Sequence, residues 1–174
     1  MILFALIVAG TLQAANPPDC RAPEWGNHVT RFAAQMEAYA VLRGEFEKRK
    51  PSQTVLAQRI RAARATAKQG DIFTPAISVE FKRALAREVN AHTWKVIMDD
   101  NPGEMLAQVN SAYPYGKPLS TMPPNVLAVL PRLPQDVEYR FVERHLILLD
   151  TRANLILDRL PFAIRVTDSD TPCR

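Results

Sequence analysis

Apolar residues keep one spacing through the first half of this chain and another through its last third, and that change restricts the fold more than any single motif. Trp25, Val29, Phe32, Met36, Tyr39, Leu42 and Phe46 recur at intervals of three and four. That is one stripe on a helix running to about Arg49. Arg31, Gln35, Glu45 and Lys48 fall on the opposite, wet side. Ser52, after Pro51, is a helix N-cap, and Val55, Leu56, Ile60 and Ala63 form a second inward stripe with Gly70 as its stop. Thr74-Pro75 opens a third helix with a cap and a proline at the first helical position. Ile77, Phe81, Leu85 and Val89 face inward, and the stripe reaches toward Ile97. The pattern then becomes short runs of β-formers: 139–142, 145–149 and 155–157. Breaks this short join antiparallel neighbours, which predicts a three-stranded meander. Three strands cannot bury themselves, so one sheet face must pack on the helices, giving a single α+β domain.

Between the two regimes, Pro114, Pro118, Pro123, Pro124, Pro131 and Pro134 crowd a stretch whose one glycine is Gly116. Such a segment suits an extended strap, interrupted by a short helix through 125–130 after Pro123-Pro124. Val126, Leu127, Val129 and Leu130 would anchor it to the body. The expected organisation is helical over 24–100, Pro-rich over 101–135 and β-meander over 136–165, within one domain spanning 15–174.

The first fifteen residues, MILFALIVAGTLQAA, form an uncharged apolar run ending in small side chains, directly before Asn16-Pro17-Pro18. This is the layout of a secretory signal peptide over 1–14, with Leu12 and Ala14 at the positions that select small or aliphatic residues. A positive n-region is missing. The run Met1–Leu12 is shorter than the about 20 residues of a spanning helix, so a retained anchor is the weaker alternative. Export places the protein in the periplasm or outside the cell. The chain has two cysteines, Cys20 and Cys173, with no C-x-x-C spacing. In an oxidising compartment this predicts one structural disulfide closing a long loop, worth about 5 kcal/mol in the loop-entropy account. Two free thiols are the alternative.

A net charge of +4 is mild. It suits an anionic envelope or an envelope protein as partner and falls well short of the dense basic patches of nucleic-acid binders. Arg59, Arg61, Arg64 and Lys68 line the second helix, with no acid until Asp71. They are read either as a docking face for phospholipid headgroups, acidic polymer or a protein partner, or as a solvated helix side.

No H-E-x-x-H, G-x-S-x-G, S-x-x-K, P-loop or dinucleotide fingerprint occurs. The cluster Asp99-Asp100-Asn101-Pro102-Gly103 lacks the alternating D-x-D-x-D-G frame of a calcium loop. His28, His92 and His145 fall on three separate elements without zinc-site spacing. The acid–base candidates are Asp71, Asp99, Asp100 and His145, each as simply read as a cap, a turn or a strand end. No catalytic, cofactor or metal residue is therefore assigned.

The segments Ala67-Lys-Gln-Gly-Asp-Ile-Phe-Thr-Pro75, Ile97-Met-Asp-Asp-Asn-Pro102, Pro118-Leu-Ser-Thr-Met-Pro-Pro124 and Tyr139-Arg-Phe-Val142, with the later 145–150 and 153–158, resemble a family of small exported bacterial proteins of unassigned activity. Members tend to carry glycine where this chain has Glu143. The resemblance implies export and helices before strands, and it carries over no catalytic residue. The expected function is that of an exported, non-catalytic accessory or binding protein of the periplasm or envelope. The alternative is a small secreted hydrolase or metal-dependent enzyme whose site is assembled from distant residues.

Overall fold

A computed structural model describes residues 20–165. The expected signal peptide and Cys173, and with it the Cys20–Cys173 bridge, lie outside the described residues. Helix α1 (Gly26–Glu47) buries Phe32, Met36 and Tyr39 from the expected stripe, and also Arg43. Helix α2 (Gln53–Ala63) starts at Ser52, whose Oγ accepts the Val55 N–H at 3.4 Å. It buries Leu56, Ala57 and Ile60, while Val55 and Ala63 are exposed. Its inward face is thus narrower than the sequence pattern implied. Gly70 does not stop this helix, which ends at Ala63; its φ of +89° turns the loop beyond.

Thr74 and Pro75 open α3 (Pro75–Glu88) as expected, and Ile77, Phe81, Leu85 and Val89 are all buried. The third expected helix is nevertheless two. Val89 is extended, and the Asn90 side chain accepts the Thr93 N–H at 2.9 Å, capping a new helix α4 (Ala91–Asp99). A short polar side chain that bonds the backbone ahead of it competes with helix continuation. Helix α5 (Pro124–Val129) is the short helix expected over 125–130, with Pro123 as its cap and Pro124 as its first residue.

Strands β1 (Val137–Val142), β2 (His145–Asp150) and β3 (Leu155–Leu160) form one antiparallel sheet in the order β1-β2-β3. Tyr139, Phe141, Leu146, Leu148, Leu155, Leu157 and Leu160 join the helical core. Phe81 centres that core, with ring centroids 5.3 Å from Trp25, 5.2 Å from Phe32, 5.1 Å from Phe73 and 5.9 Å from Tyr139. The other sheet face is also covered: Val142, Ile147, Leu149 and Ile156 pack with Ala107 and Tyr113 of the strap. A strand covered on both sides has no solvent face to alternate toward, which is why β2 reads as a continuous apolar run. The pairing sets Leu148 against Asp158 and Leu149 against Ile156, so Leu157 is an extra residue in β3. This bulge lets Leu157 enter the helix-side core while Asp158 reaches the loop between α2 and α3. Among the described residues no helix is long and apolar enough to cross a membrane.

Candidate functional site

The polar residues of the sequence motifs converge on backbone groups of their own chain. Asp158 is fully buried, and its two oxygens accept four main-chain N–H groups. Oδ1 takes Gly70 at 2.9 Å and Arg159 at 2.7 Å; Oδ2 takes Ile72 and Phe73 at 2.8 Å each. A carboxylate this deep is tolerable only with such a complete set of donors. It shapes the loop that leads into α3. Asp150, the other fully buried carboxylate among the described residues, is met by side chains from α1: the Tyr39 hydroxyl and Arg43 Nη1 (3.3 Å) both donate to Oδ2. Its Oδ1 accepts Ala153 N–H at 2.7 Å, closing the β2–β3 turn. Burial, and next the Asp150 charge, push the Tyr39 phenol far above its ordinary range. Arg43 also donates to the Gln135 carbonyl at 2.8 Å, tying α1 to the approach to β1.

Of the basic run expected along the second helix, Arg59 and Arg61 lie on α2, Arg64 caps its end and Lys68 lies in the loop beyond. The three arginines are half-buried and bond to carbonyl groups of their own chain. Arg59 donates to the Phe46 carbonyl at 3.4 Å, and Arg61 Nε to the Asn110 carbonyl at 2.8 Å. Arg64 donates to the Leu157 carbonyl at 2.8 Å and to Asn110 Oδ1 at 3.4 Å, with its guanidinium 5.6 Å from the Tyr39 ring centre. Burial holds the Arg64 pKa below the usual arginine value, against the pull of Tyr39, Asp158 and Asp71. Asn110, itself left-handed at φ 63°, returns a bond from Nδ2 to the Arg64 carbonyl at 2.7 Å, and its N–H donates to the Ile156 carbonyl at 2.8 Å. Only Lys68 of the four is exposed. While Arg59 lines an open hollow with Lys48 and Arg49, neither of the two readings of this run, a docking face or a solvated helix side, describes Arg61 and Arg64, which clamp the strap along β3 and cover that sheet edge. They do so because long cationic side chains at this face lie within reach of unpaired carbonyls.

The remaining motifs act similarly on β1. Ser120 Oγ accepts the Phe141 N–H at 2.7 Å, covering part of the other sheet edge. Asn101 grips the hairpin between β1 and β2 from both sides, Oδ1 accepting Glu143 N–H at 2.9 Å and Nδ2 donating to the Glu143 carbonyl at 3.2 Å. Glu143 sits at φ 52°, a conformation that glycine adopts more readily. The Asn101 clamp accounts for how glutamate is held there.

The acid–base candidates are not assembled. The Asp71 carboxylate accepts Lys68 N–H at 2.9 Å, Asp100 accepts the Thr121 hydroxyl at 2.9 Å, Asp99 is exposed, and His145 contacts Phe162 and Glu143. Among the described residues, no three His, Cys, Asp or Glu side chains are placed to hold a metal ion. Three concave surfaces stand out, one of them a hollow of about 460 Å³ lined by Glu45, Phe46, Lys48, Arg49 and Arg59. A groove of about 370 Å³ runs between α5 and β1, lined by apolar residues such as Leu127, Leu130 and Leu133 and by the charged Arg132, Glu138 and Arg140. A cleft of about 390 Å³ lies between α4 and the hairpin, walled by Trp94, Met98, Glu143, Arg144, His145 and Phe162.

Sequence reasoning missed Asp158, Asn110, Asn101, Ser120 and Arg43. For Asp158 a signal existed: a carboxylate inside the apolar strand run Leu155-Ile-Leu-Asp-Arg-Leu160 must find donors if that strand is buried. No family model, curated protein or solved structure matches the chain.

Proposed function

We propose that this is an exported accessory protein of the bacterial periplasm or envelope that works by binding another envelope protein, without catalysis. The observation that carries the reading is the groove between α5 and β1, where Leu127 is 46% exposed beside the buried Leu130 and Tyr139. The groove sets Leu127, Leu130 and Leu133 beside the charged Arg132, Glu138 and Arg140, a mixture of apolar and charged groups that suits a protein contact. With Arg61 and Arg64 engaged internally, the strap surface supports binding better than the basic helix does. Export is supported by the apolar run Met1–Leu12 and the small residues after it, and the Cys20–Cys173 disulfide belongs to the same reading.

Expression of the full chain, N-terminal sequencing of the periplasmic product and capture from envelope extract test both halves. The product begins at Ala15 or Asn16, and Leu127→Asp loses the captured protein while its thermal melt stays within a few degrees of wild type. Recovery from the cytosol with Met1 intact overturns the export half. Capture unchanged by Leu127→Asp overturns the assignment of the groove.

A further inference from the structure

We infer that His145 is an acid-sensitive latch on the turn that follows β3. The Phe162 backbone N–H donates to His145 Nδ1 at 3.0 Å. An amide N–H can only donate, so this nitrogen must be unprotonated and the ring proton sits on Nε2, 4.0 Å from Glu143 Oε2. The bond holds Phe162 at φ 48°, a conformation that a bulky residue keeps only where its surroundings impose it. Phe162 is 64% exposed, and its ring meets the imidazole edge-on at 5.0 Å. Leu160 before it, and Ala163 and Ile164 after it, are buried, and Ile164 N–H donates to the Arg144 carbonyl at 3.2 Å. The strained residue is therefore held between two anchors, and among the described residues its one hydrogen bond to a titratable group is the one to His145.

Protonation of Nδ1 sets one donor against another. The Phe162 bond is lost, the backbone there can relax to negative φ, and the imidazolium gains attraction to Glu143. Every element around the ring contributes to the balance. Glu143 on the hairpin favours the proton, whereas Arg159 on β3 and burial of the ring oppose it. Arg144 lines the same cleft, and α4 presents the uncharged Trp94 and Met98. Burial, and then Arg159, hold the His145 pKa below the ordinary histidine value of about 6.5, so the latch is closed at neutral pH and opens on acidification. Phe162 forms one wall of the cleft with Trp94 and Met98, so release changes what that cleft can accept.

Amide hydrogen exchange read by NMR between pH 8 and pH 4.5 tests it, with rates corrected for intrinsic chemistry and His145 followed by its own ring-proton shifts. Protection of the Phe162 amide falls about five- to tenfold across the His145 titration, the scale of one hydrogen bond, while Ile164 and Leu148 keep theirs. His145→Asn supplies a non-titrating acceptor at the position of Nδ1, so protection persists and becomes independent of pH. Glu143→Gln moves the midpoint to lower pH, because a group favouring the proton is gone. Phe162 protection unchanged through the histidine titration, or a Glu143→Gln midpoint that does not move down, overturns the latch.

Discussion

Asp150 and Asp158 lie on neighbouring strands, and both are fully buried, yet they are answered in opposite ways. Asp158 draws on four main-chain amides, three of them from the loop between α2 and α3. Asp150 draws on Tyr39 and Arg43, two side chains of α1, and on one amide in its own turn. Amide donors do not titrate and cannot be removed by a side-chain substitution, so Asp158 makes a fixed cradle that shapes a loop. Side-chain donors carry rotamer entropy, and the Tyr39 phenol can lose its proton at alkaline pH, so the Asp150 cluster orients a helix on the sheet at a strength that depends on solution conditions.

Substitutions divide the two sites by the size of their effect. Asp158→Ala leaves the Gly70, Ile72 and Phe73 amides facing a buried void, and costs about 4 kcal/mol in urea unfolding. A loss near 1 kcal/mol would mean that water replaces the carboxylate and that the cradle is not closed. The double reversal Arg61→Glu with Arg64→Glu strips donors from the Asn110 and Leu157 carbonyls and brings new negative charge toward Asp158 and Asp71. Its expected cost is about 3 kcal/mol, read in the same way; a change within about 0.5 kcal/mol would return these arginines to an ordinary solvated face. Asp150→Asn keeps an oxygen for Ala153 but removes the charge facing Arg43. Because Arg43 retains the Gln135 carbonyl and Glu47 and Asp136 at 3.8 Å each, about 2 kcal/mol is expected, half the Asp158→Ala effect. An equal loss at the two sites would erase the distinction between them.

Tyr39→Phe gives the smallest effect, about 1 kcal/mol at neutral pH, and a telling pH dependence. The folded-state pKa of Tyr39 is raised, so above the ordinary tyrosine value of about 10 the native state binds the proton more tightly than the unfolded chain. The stabilisation is complete below that pH and falls as pH rises beyond it. Urea midpoints at pH 9 and pH 11 should therefore drop more in wild type than in Tyr39→Phe. Some alkaline loss persists in the variant, because burial also raises Tyr139. Identical alkaline slopes would place the Tyr39 hydroxyl outside the Asp150 cluster.

Much of the architecture was legible because periodicity and caps are local. The α1 stripe of Phe32, Met36 and Tyr39, the Ser52 cap, the Thr74-Pro75 start, the helix after Pro123 and the three strands each follow from residues within a few positions of one another. Where two local signals competed, the pattern misled: the apolar stripe from Ile77 toward Ile97 concealed the Asn90 cap that divides α3 from α4. Glu143 shows the opposite case, an unfavourable turn residue held in place by Asn101 from a distant segment.

The partners of the buried polar groups belong to tertiary structure alone. Ile72 and Asp158 meet across 86 positions, and Tyr39 and Asp150 across 111. Nothing local distinguishes an arginine that points to water from one that bonds the Leu157 carbonyl, because the same flexible chain reaches either. Spacing along the chain determined which faces are apolar, since burial of those faces repeats with the geometry of each element. Which carbonyl or amide each polar residue answers was decided only when folding brought the strap, the α2–α3 loop and the bulged third strand together, because a hydrogen bond depends on proximity in space and not on position in the sequence.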